Sequence, residues 1–402
     1  MINIQQFIST HITNREQSML LQDMLDNDHL LRERIGDRSV LVIGGAGTIG
    51  SSFIKALLPY KPASLIVVDI NENGLTELTR DLRSSSSYSL PVNYITYPMS
   101  YADPAFSKMF RHWEGFDIVA NFSAHKHVRS EKDVFSVEVL LKNNVIMAKG
   151  LLDLLTEYPP RHFFCVSTDK AANPVNIMGA SKKLMEEMIM SYAHLFPVTT
   201  ARFANVAFSN GSLLAGFLER LQKQQPISAP LDVKRYFVSP EESGQICLLA
   251  CVLGNSAEIF FPKLEVEQMM GFEEIARALL KELKYDILEC SSEQEAKNHT
   301  LQLRKGGKGW PVYFSGSNTT GEKAYEEFYT QDEKIDSDRF RALGVVAVDN
   351  IKPMAEVDAF LENLKELFEK EQTRKEDIVA SLQEFLPNFA HEEKGKFLDG
   401  KM

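Results

Sequence analysis

The stretch from Ser167 to Lys183 concentrates the side chains of this sequence that could do chemistry. A predicted strand ends there in two hydroxyls, a carboxylate and an ammonium, carried by Ser167, Thr168, Asp169 and Lys170. Met178 and Lys182 follow four residues apart, so on a helix they share one face. A nucleotide-binding enzyme usually has tyrosine at the first of these positions, where the phenol handles a proton during hydride transfer, whereas a thioether has no ionisable proton. Either Asp169 and Lys170 carry the chemistry, or the chain is not catalytic.

A glycine-rich loop follows the first predicted strand, 39–43, and leads into a helix. Its glycines Gly44, Gly47 and Gly50 let the backbone turn tightly and approach a pyrophosphate, whose charge the start of the helix stabilises. Asp69 lies about 20 residues further on, at the end of the second predicted strand, where a carboxylate can accept both ribose hydroxyls. Its charge would repel a 2′-phosphate and no arginine follows directly, so NAD is favoured over NADP as the cofactor.

Alternating strands and helices would position these groups. Short apolar strands are predicted at 39–43, 64–68, 117–121, 162–166 and 198–203, with amphipathic helices between them. This order indicates an α/β fold with a Rossmann-type, doubly wound parallel sheet and a smaller C-terminal substrate-binding domain. The predicted parts are a helical leader at 1–37, an NAD-binding domain at 38–205 with returns near 232–262, a mostly substrate-binding domain at 206–344 and a helical tail at 345–402.

Composition restricts the class of protein. The chain has 402 residues, of which 44% are hydrophobic and 25% charged, values typical of a globular protein of about two domains. Its net charge of −11 disfavours binding to nucleic acid or to an anionic membrane surface. The N-terminus does not resemble a signal peptide and no apolar run reaches the ~20 residues of a membrane span, so we expect no membrane partner and a cytoplasmic location. The spacing of the four cysteines does not match a metal site, which fits a reducing compartment.

Several motifs in order carry a family resemblance. They are the glycine loop, Ser123-Ala124-His125-Lys126-His127-Val128, Asn144-Val145, Ser167-Thr168-Asp169-Lys170, Asn173-Pro174, Met178-x-x-x-Lys182 and Arg202-Phe203-x-Asn205-Val206. From about Ser39 to Glu327 the chain resembles the extended short-chain dehydrogenase/reductase superfamily. Within it, the chain is most similar to the UDP-N-acetylglucosamine 4,6-dehydratases of bacterial polysaccharide and sialic-acid-like sugar synthesis. The Thr-Asp-Lys triplet with Asn-Pro and Met-x-x-x-Lys is specific to this branch, where methionine in the tyrosine position is recurrent.

The resemblance implies a reaction in which NAD⁺ takes a hydride from sugar C4, a base removes the C5 proton, C6 loses water, and the hydride returns to C6. The available groups, with support from the resemblance, assign Lys170 as the C5 base, Asp169 as the acid toward the C6 oxygen and Thr168 as the hydrogen-bond partner of the C4 oxygen. A lysine base needs a lowered pKa, which burial or the positive charges of Lys182 and the nicotinamide would supply. Lys182 is expected to bind the nicotinamide ribose, and Met178 occupies the tyrosine position. The acceptor of the C4 hydroxyl proton stays open between Asp169 and a water.

The resemblance also implies where the cofactor and the sugar nucleotide bind. Cofactor contacts are expected from Gly44, Gly47, Thr48, Ile49, Gly50, Asp69, Ser123, Ala124 and Lys182. Substrate contacts are expected from Lys126, His127, Asn205, Arg235 and Glu322. His125 and His127 lie two apart without a cysteine or acidic ligand pattern nearby, so we predict no metal site.

Two other functions stay open at this point. A sugar-nucleotide 4-epimerase shares the C4 oxidation but returns the hydride to C4, which requires no C5 base. A catalytically inactive NAD-binding sensor or scaffold fits Met178 but leaves Asp169, Lys170 and Lys182 without a purpose. The expected partner is a UDP-sugar, UDP-N-acetylglucosamine first, with retention or inversion at C5 open. Apolar faces on the leader and tail helices suggest a homo-oligomer, although folding back onto the body explains them equally well.

Overall fold

The computed structural model describes residues 2–127, 131–303, 307, 309–316 and 326–391. Its strands are β1 Ser39–Ile43, β2 Ser64–Asp69, β3 Asn93–Pro98, β4 Ile118–Asn121, β5 His162–Val166, β6 Val198–Ala201, β7 Asn205–Val206, β8 Ile227–Pro230, β9 Lys234–Arg235, β10 Phe237–Val238, β11 Glu258–Pro262, β12 Met270–Gly271, β13 Asp286–Glu289, β14 Gly309–Ser315, β15 Lys334–Asp336 and β16 Leu343–Ala347. Its helices are α1 Ile4–His11, α2 Leu21–Asp26, α3 Asp28–Ile35, α4 Thr48–Leu57, α5 Glu72–Ser84, α6 Pro104–His112, α7 Val134–Leu141, α8 Met147–Leu155, α9 Ile177–Ser191, α10 Leu213–Gln222, α11 Pro240–Leu253, α12 Phe272–Glu282, α13 Glu293–Leu303, α14 Met354–Glu369 and α15 Lys375–Phe385.

The main sheet has the strand order β15-β16-β11-β6-β5-β4-β1-β2-β3. Neighbours from β3 to β11 run parallel, and β16 and β15 add an antiparallel edge. The predicted doubly wound parallel sheet is therefore confirmed. The chain order of the strands reverses between β1 and β4, which is where open α/β sheets form their ligand crevice.

The register brings the predicted motifs to one edge of this sheet. Ile43 pairs with Asn121, and Asn121 pairs with Cys165. The carboxyl ends of β1, β4 and β5 are therefore level. The glycine loop, the loop at 122–127 and the turn at 167–170 begin side by side because each follows one of these strand ends.

A second hydrophobic core lies outside the main sheet. It surrounds the parallel strands β13, β14 and β8 and includes residues of α1, α10 and α12. Part of the predicted leader thus belongs to this core. The strand β16 crosses the boundary predicted at 344 and pairs with β11 in the main sheet.

Both the leader and the tail pack on the body of the protein. In the leader, the buried Asp23 carboxylate accepts hydrogen bonds from the backbone N–H groups of Arg341 and Ala342 at 2.7 and 2.8 Å. In the tail, α14 packs on α9 and buries Val357, Leu361 and Leu364. Folding back onto the body therefore explains the apolar face of α14.

None of the helices in the described ranges combines the length and apolar character needed to cross a lipid bilayer.

Candidate active site

The turn that follows β5 forms the centre of the candidate site. Thr168 Oγ1 donates a hydrogen bond to Asp169 Oδ1 over 2.7 Å, and Lys170 Nζ donates to both oxygens of that carboxylate at 3.0 and 3.1 Å. Asp169 is 3% exposed, and the side chain of Lys170 is 27% exposed. Ser167 instead points into the core, where its hydroxyl donates to Glu186 at 2.6 Å. The predicted acid and base thus form a largely buried pair at the carboxyl edge of the sheet.

Helix α9 places Met178 and Lys182 next to this turn. Lys182 Nζ donates to the carbonyl of Val166, the last residue of β5, at 2.9 Å, and burial lowers the pKa of this lysine. Met178 is 3% exposed and belongs to the main hydrophobic core. The buried Glu131 carboxylate accepts the N–H groups of Ile177 and Met178 at 3.0 and 2.9 Å. It therefore stabilises the positive end of the α9 dipole at the site.

The glycine loop is shaped by two close backbone approaches. Gly44 has φ +75°, and a Cβ added to it would lie 2.7 Å from the Ser123 nitrogen. A Cβ on Gly50 would lie 2.3 Å from the Gly44 carbonyl oxygen. Thr48 begins α4 directly after Gly47, and Ile49 packs against the main core. The loop and the start of α4 thus fit a dinucleotide pyrophosphate, which needs such a close backbone approach.

Asp69 is held against this loop from the end of β2. Its two carboxylate oxygens accept the N–H groups of Ala46 and Asn71, each at 2.9 Å. The carboxylate is therefore fixed at the rim of the glycine loop.

The loop that follows β4 is pinned to α9 by Asn144. The Asn144 amide accepts the His125 N–H at 2.7 Å and donates to the His125 carbonyl at 2.9 Å and to Ser181 Oγ at 3.0 Å. Asn144 lies in the π-helical turn Lys142–Ile146, which joins α7 to α8, and such turns are frequent at functional sites. Ser123 and Ala124 are carried in the same loop, beside the glycine loop.

Lys126 and His127 face the segment at 208–212. Lys126 Nζ donates to the Asn210 carbonyl at 2.9 Å, and the Asn210 N–H donates to Thr48 Oγ1 at 2.9 Å. A Cβ added to Gly211 would lie 3.0 Å from His127 Nε2, so the two residues are in close contact. Lys126 and Thr48, which were predicted to bind substrate and cofactor, are therefore joined through Asn210.

Glu326 is a member of the site to which the sequence analysis gave no role. Its side chain is 2% exposed, and Arg235 Nε lies 3.7 Å from its carboxylate. The carboxylate accepts hydrogen bonds from Asn205 Nδ2 and, at 2.9 Å, from the Tyr236 N–H. Asn205 and Arg235 were predicted to bind substrate, and here they contact Glu326. The predicted substrate residue Glu322 lies outside the described residues.

The charges around Lys170 differ from those expected. Burial lowers the pKa of Lys170, but the carboxylates of Asp169 and Glu326 outweigh it, and the pKa is raised. The positive charge of Arg235 lowers the pKa of Lys170 and so acts against these carboxylates. The sequence analysis had expected this effect from Lys182. The protein's own groups therefore raise the pKa of Lys170, and the expectation that they would lower it is wrong. Burial also raises the pKa of Glu326 to about 7, and the charge of Asp169 acts in the same direction.

The described residues do not contain a group of three His, Cys, Asp or Glu side chains arranged to hold a metal ion.

The sequence matches one family model, described as polysaccharide biosynthesis protein, over residues 40–347. Among relatives, an uncharacterized membrane protein, MJ1061 of Methanocaldococcus jannaschii, is 30% identical over 77% of this chain and 86% of its own length. The UDP-N-acetylglucosamine 4,6-dehydratase (inverting) of Campylobacter jejuni is 26% identical over 62% of this chain and 73% of its own. The UDP-glucose 4-epimerase of Rickettsia massiliae is 25% identical over 76% and 81%.

Some relatives are longer than the matched region. The match spans 47% of EpsC of Bacillus subtilis and 60% of CapD of Staphylococcus aureus. Among solved structures, Pen from Bacillus thuringiensis superposes with a TM-score of 0.64 at 20% identity, covering 82% of this chain and 98% of that one. This likeness establishes the fold that the two chains share.

Proposed function

This chain belongs to the polysaccharide biosynthesis protein family, and from that premise we propose that it is an NAD-dependent nucleotide-sugar 4,6-dehydratase. The proposed substrate is a UDP-N-acetylhexosamine, UDP-N-acetylglucosamine first, and the product is its 4-keto-6-deoxy derivative. The observation that carries the proposal is the Asp169–Lys170 pair, held by hydrogen bonds at the same sheet edge as the glycine loop. The dehydratase from Campylobacter jejuni among its relatives supports the same assignment.

A bound nicotinamide dinucleotide would supply the acceptor and donor of the hydride that moves from C4 to C6. Gly44, Gly47 and Gly50 with the start of α4 would hold its pyrophosphate, and Asp69 would hold the adenosine ribose. Lys182 would hold the nicotinamide ribose, as the family resemblance implies, and its ammonium lies at the end of β5, where it donates to the Val166 carbonyl. We infer NAD rather than NADP because the Asp69 carboxylate would repel a 2′-phosphate.

The hydrogen bond from Thr168 to Asp169 offers a proton path that needs no tyrosine. Thr168 accepts the C4 hydroxyl proton and passes its own proton to Asp169. Once protonated, Asp169 no longer raises the pKa of Lys170, so the ammonium releases a proton to solvent and the neutral amine can remove the C5 proton. Asp169 then gives its proton to the C6 hydroxyl, which leaves as water, while the hydride taken from C4 goes to C6. Lys170, whose protons exchange with solvent, returns a proton to C5 and is then reprotonated from solvent.

Incubation with UDP-N-acetylglucosamine and NAD in deuterated water tests the proposal. We expect a product one water lighter than the substrate, with deuterium at C5 detected by mass spectrometry and NMR. Lys170→Ala should abolish C5 exchange and preserve NAD binding. Lys183→Ala removes an ammonium paired with Glu187 on the outer side of α9 and should leave both intact. Exchange at the wild-type rate in Lys170→Ala would refute the assignment of the base.

A 4-epimerase is the second candidate function, because a UDP-glucose 4-epimerase is among the relatives and the C4 oxidation is common to both reactions. The same incubation separates them, since an epimerase would yield an isomer of unchanged mass and no deuterium at C5. Recovery of unaltered substrate with bound NAD would instead favour a sensor or scaffold.

A further inference from the structure

The reaction described above leaves one buried ionisable group of the site without a role. Two contacts hold Glu326 next to the turn at 167–170. The residue after it, Glu327, accepts a hydrogen bond from Asn173 Nδ2 at 3.1 Å, and Asn173 lies three residues beyond Lys170. Asn205 holds Glu326 itself. Residues 326 and 327 therefore lie beside the site.

Two anions and two cations share this enclosed space. The anions are Asp169 and Glu326, and the cations are Lys170 and Arg235. From neighbouring elements, Glu265 and Glu267 act electrostatically on Tyr236, whose N–H bonds the Glu326 carboxylate. Charges interact strongly in such a poorly hydrated space, so the ionisation of one member changes the proton affinity of the others.

We infer that Glu326 is a positioning residue that controls whether Lys170 keeps its proton. An ionised Glu326 adds to the attraction that keeps the proton on Lys170, and an ammonium cannot take the C5 proton. A neutral Glu326 lacks that attraction, so Lys170 releases its proton more readily. Burial first and Asp169 second raise the pKa of Glu326 to about 7. The catalytic consequence rests on the proposed function, whereas the effect on Lys170 itself does not.

Competitive acetylation measures that effect without any substrate. Trace acetic anhydride at a fixed pH of about 8 reacts with neutral amines, and the labelled fraction of the Lys170 peptide is read by mass spectrometry relative to Lys183. In Glu326→Gln the carboxylate charge is lost, so we expect a pKa about one unit lower and labelling about tenfold faster. In Glu326→Asp the charge is retained and the rate should stay close to wild type.

A matched control removes a buried carboxylate elsewhere. Glu258→Gln deletes a carboxylate at the amino end of β11 that is paired with Arg339, on a side chain that is 11% exposed, and it should leave Lys170 labelling unchanged. Protection of the buried Lys182 from acetylation reports that each variant is folded. Unchanged labelling of Lys170 in folded Glu326→Gln, or equal acceleration in Glu326→Asp, would overturn the inference.

The pH profile of C5 exchange supplies the catalytic readout. In Glu326→Gln the limb that reports deprotonation of Lys170 should move to lower pH by about one unit. A purely structural role would lower the rate at every pH without moving the limb, and this result would overturn the inference. If the wild-type protein shows no exchange, the proposed function fails and the labelling result still decides the role of Glu326.

Discussion

Replacing Arg202 with methionine should remove the buried charge network behind the candidate site. The Arg202 side chain is fully buried. It donates to Glu186 at 3.0 and 2.7 Å, to Glu333 at 2.8 Å twice, and to the Phe328 carbonyl at 3.0 Å. Because Phe328 lies two residues beyond Glu326, Arg202 also fixes the segment that carries Glu326.

Burial sets the size of the expected loss. Removing one partner of a buried ion pair costs about 3–5 kcal/mol, since the remaining charge is left without compensation. In Arg202→Met the carboxylate of Glu186 remains at 1% exposure and that of Glu333 at 17%. We therefore expect the free energy of unfolding to fall by about 3–5 kcal/mol.

Arg111→Met is the matched control. Arg111 binds both oxygens of Glu157 at 2.7 and 2.6 Å, with side chains that are 51% and 40% exposed. The geometry is equally bidentate, but water screens the charges, so the loss should be much smaller than in Arg202→Met.

The loss should also depend on pH. Burial alone would raise the pKa of Glu186, but Arg202 outweighs it, so the folded-state pKa lies below the ordinary value of 4.5. A carboxyl with a lowered folded-state pKa stabilises the protein above the unfolded-state pKa and loses that contribution as pH falls through the folded-state pKa. Without Arg202 the folded-state pKa of Glu186 moves upward. The difference between wild type and variant should therefore grow as pH rises from about 5 to about 7.5.

Urea unfolding at these two pH values, followed by tryptophan fluorescence, measures both effects. Trp113 packs against the main core, and Trp310 lies in the second core, so single-tryptophan versions report each core separately. Glu186→Gln added to Arg202→Met should recover part of the loss, because it removes one uncompensated charge. Equal losses in Arg202→Met and Arg111→Met, or a loss that does not grow with pH, would refute the reasoning.

The glycine loop and the acid at its rim give three further predictions. Gly50→Ala should lower the melting temperature or prevent folding, because its Cβ would meet the Gly44 carbonyl at 2.3 Å, whereas at Gly47 this distance is 3.4 Å. Gly47→Ala should melt like wild type but bind NAD about tenfold more weakly by calorimetry, and unchanged affinity would argue against a pyrophosphate at this loop. In Asp69→Ala the ratio of the affinities for NAD and NADP should fall about tenfold in the same assay. An unchanged ratio would show that another group sets the cofactor preference.

The buried parallel strands could be predicted because their sequences are continuous apolar runs. The strands β1 and β5 have the predicted bounds. The strand β3 was missed because it lies at the sheet edge with half-exposed side chains. The strand β14 was missed because its glycine and proline are typical of loops. The short strands β9 and β10 are separated by Tyr236, whose N–H bonds Glu326 instead of a strand.

The candidate site was predictable where its chemistry is contiguous in sequence. Asp169 and Lys170 are adjacent and follow a buried strand, so their place at the sheet edge could be inferred. Glu326 could not be assigned a role in this way, because its burial and charge depend on Asn205 and Arg235, which meet it only in the folded chain. The raised pKa of Lys170 was missed for the same reason.

The C-terminal tail contacts the segments that surround the turn at 167–170 and α9. Lys375 Nζ donates to the Glu131 carbonyl at 2.8 Å, and the Ala390 N–H donates to the Pro174 carbonyl at 3.1 Å. During translation about 200 residues must be added after α9 before these contacts can form, a delay of ~10–40 s at common elongation rates. A ribosome stalled in that interval would hold a nascent chain in which strands β1 to β5 have been synthesised but the turn at 167–170 still lacks its contacts with the tail.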